Sequence, residues 1–223
     1  MEKKNRTALV TGGSRGIGAA VVRRLAEDGY QVAFTYLRSK EAADRMVTEL
    51  SGRGMAFQAD AASVEDMSGL VDRVVEAYGG LDVLVNNAGV FSNVPLGDAT
   101  DEEFERVVNI NIRAVFLASR AAARVMGSGG RIIIIGSVNG DRIPFDGVAL
   151  YGMSKAAVAA LAKGWARDLG PRGITVNCVQ PGPIDTDLNP ADGDFAEALK
   201  PITALNRYRS EEHTSELQSL LII

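Results

Sequence analysis

A glycine-rich turn between an apolar run and a helical stretch constrains this chain more than any other feature. Residues 6–10 (RTALV) end at Thr11 and read as a short buried strand. Gly12, Gly16 and Gly18 follow within TGGSRGIG, residues 11–18, and residues 19–27 then carry apolar positions at helical spacing. Strand, glycine turn and helix in that order leave free N–H groups and the positive end of a helix dipole at the turn, which suits a pyrophosphate. Glycines let the backbone approach such a ligand and let the helix pack close to the strand. The spacing is Gly-x3-Gly-x-Gly rather than G-x-G-x-x-G. Thr11, Gly12, Ser14, Arg15, Gly16, Ile17 and Gly18 are the candidate contacts to a dinucleotide here.

The rest of the chain repeats this alternation. Candidate strands lie at 6–10, 31–36, 55–59, 81–86, 131–136 and 174–179, and candidate helices at 16–28, 40–51, 63–78, 101–126, 150–169 and 193–200. The strands are short, continuous and Val/Ile-rich, as strands covered on both faces are. Alternating strands and helices predict an α/β, doubly wound parallel sheet in a single domain, with ligands at the carboxyl ends of the strands. At 223 residues and 46% hydrophobic content, the chain can build one sizeable core. A net charge of −4 with no long basic run argues against nucleic acid as a partner. The one cysteine, Cys178, sits in the apolar run 174–179 and reads as a small core residue. No metal-ligand cluster is expected. The first residues, MEKKNR, lack an apolar signal region, and no apolar stretch is long enough for a bilayer, so a cytoplasmic location is expected.

A second group of residues carries the chemistry. Tyr151 and Lys155 follow Ser137 by 14 and 18 residues and lie four apart on one helix, which puts both side chains on one face. A tyrosine hydroxyl ordinarily titrates near 10. A nearby ammonium favours phenolate and is expected to lower that value, making Tyr151 an acid/base near neutral pH. Ser137 ends the strand RIIIIGS, so its hydroxyl is expected at the same carboxyl-end crevice, able to hold a carbonyl oxygen beside Tyr151. Asn111 lies within a helical pattern that disfavours Asn. Val107, Val108, Ile110, Ile112 and Val115 surround it, which predicts burial.

Taken together, TGGSRGIG, Asp60, NNAG at 86–89, Asn111, Ser137, Tyr151-x3-Lys155 and Pro181-Gly182 resemble the short-chain dehydrogenases/reductases. The resemblance spans residues 7 to about 208 in the family's order. It implies a Rossmann-like domain and hydride transfer between a nicotinamide cofactor and a ketone or secondary alcohol. By position it makes Tyr151 the proton donor and Lys155 the residue that lowers its pKa and bonds the nicotinamide ribose. Ser137 orients the carbonyl, and Asn111 holds a water that relays protons through Lys155. The resemblance places Asp60 and Ala61 by the adenine, Asn87, Ala88 and Gly89 along the cofactor cleft, and Pro181, Gly182, Ile184 and Thr186 over the nicotinamide.

The second strand, QVAFTY, ends at Tyr36 and continues Leu37, Arg38, Ser39, with no carboxylate before Glu41. An acidic residue at this place would bond a ribose 2′-OH. Arg15 and Arg38 instead suit a 2′-phosphate, so NADP(H) is the expected cofactor. Residues 90–98, 138–148 and 186–200 are expected to meet the substrate. GSVNGDR, QPGPIDTD and NPADG resemble one bacterial subgroup, which includes a cyclic-di-GMP-binding mediator of biofilm dispersal. More broadly the chain is similar to 3-oxoacyl-acyl-carrier-protein reductases. Cyclic-di-GMP binding is therefore the alternative to reductase activity, and homo-oligomers built on helices 101–126 and 150–169 are implied. Trp165 could serve either that interface or the core.

The string RSEEHTSELQS at 209–219 matches the translation of a common sequencing-library adapter. The expectation is a reductase domain over 1–208 and a non-native tail over 209–223. The one histidine, His213, falls in that tail and is assigned no role. Family members commonly carry one more helix and strand, so the sheet is expected to lack its last strand and to leave 174–179 at an open edge.

Overall fold

The computed structural model describes residues 6–187, 189–203 and 205–210. Among these residues six parallel strands form one sheet: β1 (Thr7–Val10), β2 (Gln31–Tyr36), β3 (Gly54–Gln58), β4 (Val83–Asn86), β5 (Arg131–Ile135) and β6 (Thr175–Val179). Their order across the sheet is β3-β2-β1-β4-β5-β6. The order reverses between β1 and β4, and a doubly wound sheet opens its ligand crevice at such a switch. Register is set pairwise, with Leu9 opposite both Ala33 and Leu84, and Leu84 opposite Ile132.

Among the described residues there are seven α-helices, α1 (Gly16–Glu27), α2 (Lys40–Glu49), α3 (Val64–Tyr78), α4 (Asp101–Val108), α5 (Ala114–Val125), α6 (Ala149–Leu169) and α7 (Asp194–Leu199), of which α7 packs apart from the sheet in a small cluster with Tyr208. One apolar cluster joins Val10, Val22, Phe34, Met46 and Val85 beneath α1 and α2. The other joins Leu9, Leu70, Leu84, Ala118, Ile132 and Val158 beneath α3, α5 and α6. Leu9, Leu84, Ile132 and Ile134 are fully buried, each burial being worth about 1.5–3 kcal/mol. Helix ends are set by local chemistry. Ser63 Oγ accepts from Asp66 N at 3.1 Å to start α3, and Gly79, left-handed at φ 79°, stops it. Thr100 caps α4, and Asp101, Glu102 and Glu103 complement its dipole.

The strands and most helices match the sequence expectation to within a residue or two. The helix expected over 101–126 does not. Residues Asn109–Arg113 form a wide π turn between α4 and α5. Apolar spacing does not report such a rare turn, and within it Asn111 hydrogen-bonds Val90. Trp165 is partly buried against the second cluster, with its ring 6.4 Å from Phe116. Among the described residues β6 is an outer strand, paired with β5. Arg209 forms a main-chain bridge with Ile184. His213 and the rest of 211–223 lie outside the described residues.

Candidate active site

The turn after β1 is held from two sides, by β2 and by the segment after β4. Gly12 N donates to Thr35 Oγ1 at 2.8 Å and Gly13 N to Thr35 O at 2.9 Å. Asn87 Nδ2 donates to the carbonyls of Thr11 and Gly12, both at 3.0 Å. Thr11 Oγ1 accepts from the main-chain N of Asn87 and of Ala88, also at 3.0 Å. Thr11 and Asn87 therefore shape the crevice floor by tying β1 to the segment after β4. The turn requires its glycines. Gly12 adopts φ +67°, and a methyl on Gly18 would stand 2.2 Å from Gly12 O. Gly13, which the motif spacing passed over, has no room either, because a methyl there would meet Phe34 at 2.6 Å. Arg15 is extended at the start of α1, and no side chain caps that helix end. The leading N–H groups stay available to a phosphate, which is the donor set a dinucleotide needs.

The crevice continues as one cavity of about 1380 Å³. It is lined by every expected cofactor contact: Thr11, Gly12, Ser14, Arg15, Gly16, Ile17, Gly18, Tyr36, Arg38, Ser39, Asp60, Ala61, Asn87, Ala88, Gly89, Pro181, Gly182, Ile184 and Thr186. Ser137, Tyr151 and Lys155 line it too. Arg15 and Arg38 are exposed at its rim, and among the described residues neither forms an ion pair. Asp60 turns its carboxylate onto Ala62 N at 2.8 Å. Thr35 was missing from the sequence reading. It faces inward from β2, and only the fold shows that its hydroxyl meets the loop.

The catalytic candidates converge with one correction. Ser137 follows the carboxyl end of β5, and Tyr151 and Lys155 lie in the first two turns of α6. Lys155 Nζ is buried and donates to Ile135 O at 2.9 Å, standing 5.7 Å from the Tyr151 ring centre. The expected lowering of the Tyr151 pKa by this ammonium is not what the structure shows. Burial raises the phenol above its ordinary value, opposed by a hydrogen bond to Ser137. Desolvation is the larger cause, and the Lys155 amine spends its hydrogen bond on the Ile135 carbonyl.

Asn111 is buried, as expected, but it does not line the cavity. Its Oδ1 accepts from Val90 N at 2.8 Å, and its Nδ2 donates to Val90 O at 2.9 Å and to Ser154 Oγ at 3.0 Å. Ser154 Oγ in turn donates to Tyr151 O at 2.7 Å. The π turn, the segment after β4 and the start of α6 are thus one network. Gly89 lies against it: a methyl there would stand 3.3 Å from Asn111 Oδ1 and 3.5 Å from Lys155 Nζ. Ser154, adjacent to Lys155 in sequence, was not singled out beforehand, because nothing in its spacing reports a partner on another helix.

Burial drives the Lys155 pKa down to about 8 from 10.5, a shift slightly offset by Cys178. Below pH 8 the amine is charged in both folded and unfolded chains, and burying that charge is a standing penalty. Between 8 and 10.5 the folded chain sheds the proton while the unfolded chain keeps it, so stability rises with pH through this window. The relief is on the order of 3 kcal/mol. The unfolding free energy of wild type relative to Lys155→Met should therefore improve from pH 7 to pH 10, as read by denaturant titration. Burial also raises the Tyr151 and Cys178 pKa values; Tyr151 is common to the two proteins and is subtracted, whereas Cys178 feels the Lys155 charge, so both proteins are compared in a Cys178→Ala background. A constant gap would mean that the amine is not desolvated.

Among the described residues no helix is long and apolar enough to cross a membrane. The sequence profile described as short chain dehydrogenase matches residues 6–196. The cyclic-di-GMP-binding biofilm dispersal mediator protein of Escherichia coli is 47% identical over 216 residues, covering 97% of this chain and 89% of that protein. The 3-oxoacyl-[acyl-carrier-protein] reductase of Staphylococcus aureus is 41% identical over 197 residues, 86% of this chain and 80% of its own. A short chain dehydrogenase from Burkholderia cenocepacia, solved in complex with NADP, superposes with a TM-score of 0.95 at 48% identity, over 99% of this chain and 91% of that one.

Proposed function

The chain belongs to the short chain dehydrogenase family, and from that premise we propose that it is an NADP(H)-dependent oxidoreductase interconverting a ketone and a secondary alcohol. The observation that carries the reading is the convergence of Ser137, Tyr151 and Lys155 on the cavity that the glycine turn opens. The uncapped start of α1 and the glycines fit a pyrophosphate, and the two rim arginines fit a 2′-phosphate. Solved relatives with bound NADP or NADPH support the same cofactor.

A nicotinamide held between residues 87–89 and 181–186 would supply the hydride for the carbonyl carbon, so that ketone, NADPH and one proton would give secondary alcohol and NADP+. Tyr151 gives its phenolic proton to the carbonyl oxygen. Its raised pKa keeps that proton in place at neutral pH, which suits a donor. Ser137 hydrogen-bonds the same oxygen and holds it against Tyr151. Lys155, titrating at about 8, can release and recover a proton near neutrality and restore the phenol through water. Asn111 fixes Val90 and the first turns of α6. Both its amide hydrogens are engaged, and Oδ1 keeps one lone pair free for a relay water beside Lys155. Association between copies through α5 and α6, near Phe116 and Trp165, belongs to the same reading.

A second reading rests on the relative whose name records cyclic-di-GMP binding. An NADPH oxidation assay over a ketone panel, run beside calorimetry with cyclic-di-GMP, separates the two. Ketone-dependent loss of NADPH absorbance is the expected result. Cyclic-di-GMP binding without turnover of any ketone would replace the reductase reading with the messenger one.

A further inference from the structure

We propose that the substrate half of the cavity is shaped for a neutral ketone bearing an aryl group, and that Phe91 and Phe195 set this choice. The proposal rests on the reductase reading and uses the same two-electron step, hydride from NADPH and proton from Tyr151, with no other reactant. Phe91 follows β4, is 48% exposed, and meets the Tyr151 ring edge-on at 5.0 Å and 68°. It is held in place through its main chain, because Arg106 Nη2 donates to Phe91 O at 3.1 Å. Glu103 grips the same guanidinium through bonds of 2.7 and 2.8 Å. Arg106 keeps the Glu103 carboxyl at about 2, so the grip stays ionised at any assay pH.

Phe195, on α7, is also 48% exposed and stands edge-on to Phe145 at 5.7 Å and 85°. Phe145 packs on Ala196, Leu199 and Tyr208, which seats this second aromatic pair. Ile143, 57% exposed, lines the cavity between them in sequence. Three separate segments thus turn apolar side chains into one cavity beside the proton donor. Apolar surface left in water at a cavity wall is what a flat apolar ligand covers, and phenyl rings in edge-on or offset contact add to that burial.

The charges point the same way. Asp141, Arg142 and Asp187 line this half. The Asp141 carboxylate accepts from Gln180 Nε2 at 2.7 Å and stays in place as a negative wall. With the Lys155 ammonium counted, two carboxylates face one guanidinium and one amine, so among the described residues no paired cationic forks are present here, which recognition of a carboxylate or phosphodiester calls for.

The test measures kcat/KM for acetophenone, butanone and acetoacetate at saturating NADPH, with calorimetric binding of acetophenone to the NADP+-loaded protein as a readout independent of turnover. Wild type should prefer acetophenone over butanone by roughly 10–200-fold and use acetoacetate least. Phe91→Ala and Phe195→Ala should each cut the aryl preference about ten-fold or more, mainly through KM, with NADP+ affinity in the same samples reporting a folded cleft. Preference for acetoacetate or butanone, or an aryl preference surviving both substitutions, would overturn the proposal. Phe-dependent acetophenone binding without any turnover would sink the reductase reading and uphold the ligand class. Cyclic-di-GMP displacing acetophenone from the loaded protein would overturn the ligand class itself.

Discussion

Replacing Tyr151 with Phe should lower kcat for ketone reduction by about 10²–10⁴-fold, the range over which a positioned acid contributes. The substitution removes one hydroxyl and little else. The ring keeps its edge contact with Phe91, and Ser154 still donates to the main-chain carbonyl of residue 151. Lys155 keeps its bond to Ile135 O, which does not involve the phenol. NADPH affinity, read by fluorescence titration, should therefore stay within about three-fold of wild type, since an exposed or uninvolved group changes binding by only a few tenths of a kcal/mol. The two readouts must separate. Turnover retained in Tyr151→Phe would remove the proton-donor role, whereas joint loss of turnover and cofactor affinity would mean that the hydroxyl supports the cleft.

The double variant Arg15→Ala/Arg38→Ala should lower the ratio of kcat/KM for NADPH over NADH by about 10²-fold. Two charge-assisted contacts are worth roughly 1.5–3 kcal/mol each, or about 10²–10⁴ together. Both guanidiniums are exposed, and solvent screening puts the expectation at the lower end. Nothing at the end of β2 replaces them for NADH, because the nearest following carboxylate, Glu41, lies in the first turn of α2. The loss should therefore fall on NADPH, with NADH use changing little. A wild-type ratio below one would remove the NADP(H) assignment, and a double variant with unchanged ratio would move the 2′-phosphate contact elsewhere.

The sheet and the phosphate loop were legible in advance because both are local. A Val/Ile-rich run between turn signals dictates a strand covered on two faces, and the glycine turn depends on sterics within one βα unit. The Ser137, Tyr151, Lys155 spacing likewise carries its own geometry, since positions four apart on a helix share a face and a strand end opens onto the crevice. Once the strand order is fixed by the fold, the handedness of parallel connections puts helices on both faces of the sheet.

What the linear order of residues could not hold is the set of contacts made between distant segments. Within the π turn, Asn111 reaches Val90 and Ser154, 21 and 43 residues away. Lys155 was expected to acidify Tyr151, but its Nζ turns to Ile135 O, and burial became the larger influence on both groups. The aromatic wall draws on positions 91, 145 and 195, which no periodicity links. Short-range sterics and apolar spacing are written along the chain, whereas desolvation and hydrogen-bond direction come into being only when remote pieces pack and water leaves.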